Sequence, residues 1–144
     1  MMLPGPLESR AAITDLIHRY ARNVRDRTPA ASADLFVDDV SFEVRELDFA
    51  DPSAPSRRRS IEMGKAAVLA HIGRSADGAV RVCPTITNVL IDIDGDAARA
   101  NCLMTSRVWP SGQTLFGQYD DDFIYDGDRW RFRSRVYTIF GDAS

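Results

Sequence analysis

The sequence predicts an α+β domain in which three N-terminal helices pack on a curved, mostly antiparallel sheet, and three observations carry that reading. Apolar residues in the first half recur at helical spacing, whereas from Val80 to Phe140 the period becomes two. Asp94-Gly95, Pro110-Ser111-Gly112 and Asp126-Gly127 interrupt the alternating region as hairpin signals. A chain of 144 residues with 44% hydrophobic content has enough apolar surface for one core, and no repeat, linker or low-complexity stretch divides it. Residues 1–144 are therefore read as a single domain with its core at about 8–140.

Ile13, Leu16, Ile17, Tyr20 and Val24 form one face of the first helix, with Arg and Asp on the other side. His18 stands one step off that stripe and is left out of the site. Thr28-Pro29 reads as an N-cap followed by proline at the first helical position, opening a short helix through Leu35 and Phe36. Val40, Phe42 and Val44 alternate with Ser41, Glu43 and Arg45 as a half-buried strand. The Pro-, Ser- and Arg-rich segment from Asp51 to Ser60 reads as a loop. Gly64 to Ile72 reads as a third helix, with Val68, Leu69 and Ile72 on its apolar side and His71 as a packed or exposed residue rather than a base. Four antiparallel strands follow.

Composition bounds the partners. No apolar run approaches the roughly 20 residues that a bilayer crossing needs, and the first residues lack a charged region followed by an apolar one, so the expectation is a soluble, cytoplasmic protein with no membrane partner. A net charge of -3 and an arginine run, Arg57-Arg58-Arg59, without aromatic neighbours give no footprint for nucleic acid. Cys83 and Cys102 lie inside strand-like segments with spacing that fits neither a disulfide framework nor a zinc site, so no metal site is expected.

A two-residue turn at Asp126-Gly127 would place Phe123 opposite Trp130, Asp121 opposite Phe132 and Tyr119 opposite Ser134 on one face. Asp121 is then a carboxylate among aromatic rings, a perturbed group and the best candidate for chemistry. On the opposite face Arg131, Arg133 and Arg135 alternate outward as a charged ladder. The preceding hairpin would pair Ile91 with Ala98 and Thr87 with Cys102, small against branched, as in a sheet that leaves room for a ligand. Candidate catalytic residues are Asp121 and Tyr20, and candidate ligand contacts are Tyr119, Trp130, Phe123, Phe132, Thr87 and Cys102.

Ala12-Ile13-Thr14-Asp15-Leu16, Tyr20-Ala21, Phe36 with Asp38-Asp39-Val40, Thr87-Asn88, Asp94-Gly95-Asp96-Ala97, Gly117 to Asp121 and Gly127 to Arg135 occur in that order. Together they resemble the SnoaL-like branch of the nuclear-transport-factor-2-like superfamily. That family implies a cone of helices on a curled sheet around an apolar pocket. It includes dehydratases, dehydrochlorinases, polyketide cyclases, ketosteroid isomerase and dioxygenase small subunits. The resemblance implies a cofactor-free lyase, isomerase or cyclase acting on a hydrophobic oxygenated molecule of polyketide-, steroid- or aromatic-like kind. The alternative is a non-catalytic binding protein or accessory subunit. The resemblance also implies association through the outward sheet face, with the ladder of Arg131, Arg133 and Arg135 as its rim, as a homodimer or homotrimer. The Asp and His that the dehydratase members resemble one another in fall on Arg25 and Pro84 here, and the general-base Asp of the isomerase pattern falls on Val44. Asp121 aligns with the isomerase acid on the oxyanion side, and Tyr20 points into the pocket.

Overall fold

The computed structural model describes residues 2–51, 53–76 and 78–141, with the side chains of 75 and 76 outside the description. Helix α1 (Pro6–Asp26) starts on a proline in its first turn and stops where Arg27 takes a left-handed conformation, φ 59°. Its apolar face carries the predicted Ile13, Leu16, Ile17 and Tyr20, all buried. A 3-10 helix (Pro29–Leu35) follows; Thr28 precedes it without making a side-chain cap bond. Strand β1 (Phe36–Asp48), β2 (Arg57–Met63), helix α2 (Lys65–Ala76), the two-residue β3 (Arg81–Val82), and the long β4 (Thr85–Asp94), β5 (Ala97–Trp109), β6 (Thr114–Tyr125) and β7 (Trp130–Gly141) complete the chain.

The sheet runs β2-β1-β7-β6-β5-β3, with β4 also pairing β5. Every pairing is antiparallel except β1 with β7, which run parallel because the chain between them crosses from one side of the sheet to the other. Irregularities in pairing at Val44/Arg45, Thr87/Leu90 and Asp122/Phe123 bend the strands and curl the sheet. Helices α1 and α2 close the concave side over a core that includes Phe36, Phe123 and Phe132, all essentially inaccessible. Each such ring contributes about 2–3 kcal/mol of apolar burial. Trp130 Nε1 donates to Ser9 Oγ at 3.1 Å, tying the start of α1 to the start of β7. Among the described residues, no helix is long and apolar enough to cross a membrane.

Three local expectations are corrected. Arg57-Arg58-Arg59 is strand rather than loop, because Glu43 and Glu46 on the neighbouring β1 meet Arg58, Arg57 and Arg59 across the ladder. The last hairpin does not turn on two residues. Tyr125 pairs with Trp130, and Asp126 folds the four intervening residues by accepting the Asp128 and Arg129 amides at 3.0 Å each. Arg133 is then an extra residue in β7, so Phe123 faces Phe132, Asp122 faces Ser134 and Asp121 faces Arg135. That inserted residue switches the alternation: Trp130 and Phe132 point inward, then Arg135, Tyr137 and Ile139 do. Arg135 is therefore buried and not part of an outward ladder. In the β4–β5 hairpin Ile91 meets Ala100, and Thr87 meets Leu103 rather than Cys102. Asn88, at φ 51°, absorbs the bulge.

Candidate functional site

A cavity of about 540 Å³ opens between the C-terminal half of α1, α2 and the concave face of the sheet. Tyr20, Asn23 and Val24 enter it from α1, Phe42 and Val44 from β1, Arg59 and Ser60 from β2, and His71 and Ile72 from α2. Arg81 and Val82 of β3, Met104 and Ser106 of β5, Leu115 and Tyr119 of β6, and Tyr137 and Ile139 of β7 complete most of the wall, with Arg27, Pro29, Val80 and Pro84 from the connections. Its volume lies in the range of ordinary small-molecule sites, and its lining is mainly apolar with a few polar groups converging on it.

The polar side of the wall is a group of three tyrosines. Tyr119 stacks on Tyr137 at 4.9 Å between ring centroids and meets Tyr20 edge-on at 6.2 Å. Behind them, out of the cavity wall, lies Arg135, with its guanidinium carbon 3.7 Å from the Tyr119 ring centroid and 4.4 Å from that of Tyr20. Arg135 is only 1% exposed and Asp121 3%. Arg135 Nε donates to Asp121 Oδ1 at 2.8 Å and Nη2 to Oδ2 at 3.2 Å. Arg135 Nη1 is buried without a hydrogen-bond partner among the described residues, so the aromatic faces are its remaining favourable surroundings.

Burial dominates the titration of this group. It pushes the Tyr20 and Tyr137 hydroxyls up to about 12 and that of Tyr119 well above its ordinary value, with Arg135 opposing the shift at Tyr20. All three are neutral hydrogen-bond donors at physiological pH. Burial also pushes the Asp121 carboxyl up, against the pull of Arg135. Burial disfavours the charge on Arg135, yet Asp121 and the tyrosines more than offset it and hold the guanidinium protonated. The Cys102 thiol is pushed up to about 11 by burial, which keeps it protonated and non-nucleophilic.

On the α2 side, His71 packs its ring 5.7 Å from that of Phe42 and places Nδ1 3.8 Å from Glu62 Oε1. An imidazole beside a carboxylate is an arrangement that can accept a proton and hold the resulting charge. Among the described residues no group of three or more His, Cys, Asp or Glu is placed to hold a metal ion.

Of the residues singled out by sequence, Tyr20 and Tyr119 stand in the cavity wall. Asp121 faces inward but sits behind the tyrosines on Arg135. Phe123, Phe132 and Cys102 are buried in the core away from the cavity, Trp130 packs against the start of α1, and Thr87 is exposed on β4. Sequence reasoning missed Tyr137, Arg81 and His71 as cavity residues. A signal for His71 existed: it follows Val68 by one helical turn and precedes Ile72, both buried. No comparable signal marked Tyr137, whose inward aim depends on the inserted Arg133.

A curled mixed sheet closed by helices over a cavity is the architecture of the nuclear-transport-factor-2-like, cystatin-like α+β class. Residues 5–136 match the SnoaL-like domain family, and the chain belongs to that family. Among solved structures, a proposed scytalone dehydratase from Novosphingobium aromaticivorans superposes with a TM-score of 0.76 at 18% identity, over 94% of this chain and 86% of that one. The beta subunit of a proposed aromatic-ring-hydroxylating dioxygenase from the same organism gives 0.74 at 20% identity, over 91% and 88%. An NTF2-like protein with a cystatin-like fold, also from that organism, gives 0.71 at 24% identity, over 96% and 85%. At these identities the likeness is one of fold. No protein of curated function matches the chain.

Proposed function

We propose that this protein is a cofactor-free lyase, isomerase or cyclase acting on a hydrophobic oxygenated small molecule of polyketide-, steroid- or aromatic-like kind. The observation that carries the reading is the placement of an imidazole, His71, and three neutral tyrosine hydroxyls in the wall of one apolar cavity. Eliminations, double-bond migrations and aldol-type cyclisations share a proton transfer at carbon next to an oxygenated centre. His71, held beside Glu62, is the proton carrier in this reading. Tyr20, Tyr119 and Tyr137 donate hydrogen bonds to the substrate oxygen as charge develops on it, and the buried Arg135 behind their rings favours that charge. Asp121 is assigned a positioning role, since it reaches the site only through Arg135.

Mass spectrometry of small molecules released from freshly purified protein tests this reading. A hydrophobic carbonyl- or hydroxyl-bearing metabolite enriched in the wild type over a Tyr20→Phe/His71→Ala variant supports it. Equal recovery from both proteins contradicts it.

A second reading, accessory subunit or homo-oligomer, is favoured by one surface. Leu115 and Ile139 line the cavity, so their neighbours Phe116 and Phe140 face the opposite side of the sheet. There they pack with Phe49, which is 60% exposed, at centroid distances of 5.8 and 4.8 Å. An exposed aromatic cluster on an outer sheet face is the kind of anchor that interfaces use.

A further inference from the structure

The residues that line the cavity include Arg27, Arg59 and Arg81 but no Asp or Glu among the described residues, in a chain with net charge -3. That segregation against the average charge makes the cavity mouth a locally positive region with low-dielectric walls behind it. The three arginines differ in what already engages them. Arg27 donates to the Gly78 carbonyl. Arg59 lies 3.3 Å from Glu46 with 56% of its side chain exposed. Arg81, exposed on β3, makes no side-chain hydrogen bond or ion pair to the described residues. Deeper in, Val24, Val44, Met104, Leu115 and Ile139 present apolar surface.

We propose that the cavity takes an amphipathic organic anion, its apolar ring body among Val44, Met104 and Leu115 and its carboxylate held at the mouth by Arg81 with Arg59. The inference rests on the reading of this cavity as a ligand site and adds the substrate's charge to it. A guanidinium fork matches a carboxylate in two parallel hydrogen bonds, and the match is closer to one charge than to a polyphosphate because Glu46 already offsets much of Arg59. The same geometry orients the ligand. With its head at Arg81, the body shares the cavity with the three tyrosines and His71, which line the same wall.

Calorimetric titration with 2-naphthoate and with its neutral counterpart, methyl 2-naphthoate, tests the proposal at low and at physiological salt. The acid is expected to bind about tenfold more tightly than the ester, with the difference shrinking as salt rises. The Arg59→Gln/Arg81→Gln variant is expected to bind both alike at a nearly unchanged melting temperature, since both side chains are exposed and a surface ion pair such as Arg59–Glu46 contributes little, while Arg81→Lys keeps part of the preference. Equal or tighter binding of the ester by the wild type overturns the proposal, and so does a preference for the acid that survives the double variant. Equal binding of the two ligands leaves the cavity as a ligand site and removes only its anion selectivity. Binding of neither ligand at millimolar concentration overturns both claims about binding.

Discussion

The Arg135 guanidinium meets the Asp121 carboxylate through two hydrogen bonds, with both side chains wholly buried and the rings of Tyr20 and Tyr119 stacked over the cation. Removing one member leaves the other charge in the core without a partner. Asp121→Asn is expected to lower stability by about 3 kcal/mol, whereas the double replacement Asp121→Leu/Arg135→Met lies much closer to the wild type. Urea unfolding of the three proteins measures this. An Asp121→Asn protein as stable as the wild type would mean that the pair carries no buried charge.

A second expectation concerns alkaline pH. Tyr20 and Tyr137 ionise near 12 in the folded protein, above the value of about 10 for an exposed tyrosine, because burial disfavours the phenolate. Their folded values are raised, so the stability they contribute is fully present below pH 10 and is lost as the pH climbs toward 12. Between those values each group costs up to about 1.4 kcal/mol per pH unit. Thermal melts from pH 9 to 12 should show a steeper decline for the wild type than for Tyr20→Phe/Tyr137→Phe. Parallel declines would place the hydroxyls in water.

Gly117 marks a close approach of β6 to β7. A methyl group there would stand 2.5 Å from the Thr138 carbonyl oxygen and 3.0 Å from Cε1 of Tyr137. Backbone cannot yield as a side chain end does, so Gly117→Ala is expected to cost about 1–3 kcal/mol and to displace the Tyr137 ring from the cavity wall. Chemical denaturation and the binding of any cavity ligand should both register it. A neutral substitution would show that the two strands separate freely at this point.

Ser9→Ala removes the acceptor for the buried Trp130 indole and should destabilise by about 1–2 kcal/mol. The effect is measurable as a lowered denaturation midpoint with unchanged slope. Tryptophan emission unchanged from the wild type would argue that the bond is not formed.

The helices and the inward aim of Asp121 were legible because both follow from unbroken periodicity: Ile13 to Tyr20 at helical spacing, and Tyr119, Asp121 and Phe123 on alternate positions of β6. What surrounds Asp121 was not legible. Its partner depends on a four-residue turn in place of a two-residue one and on one inserted residue, Arg133, and both events change the pairing without leaving a mark in the alternation of β6. The same insertion turned Arg135 from an expected surface charge into the buried centre of the tyrosine group. The surroundings of His71 are not legible from its own helix, because Glu62 comes from β2 and Phe42 from β1. Helical spacing gave its direction but not its company.

In the proposed function, His71 and the tyrosine hydroxyls form one acid–base site. Deuterium incorporation at the α-carbon of 2-tetralone in D2O, followed by proton NMR, tests it directly, because exchange requires only proton removal next to a carbonyl whose oxygen is hydrogen-bonded. The expected result is exchange well above the buffer rate for the wild type and for a variant at the exposed His18, His18→Ala. His71→Ala should lose roughly a hundredfold or more, and Tyr20→Phe about tenfold, with melting temperatures showing that both remain folded. Exchange no faster than buffer, or exchange that is undiminished in His71→Ala, would contradict the account.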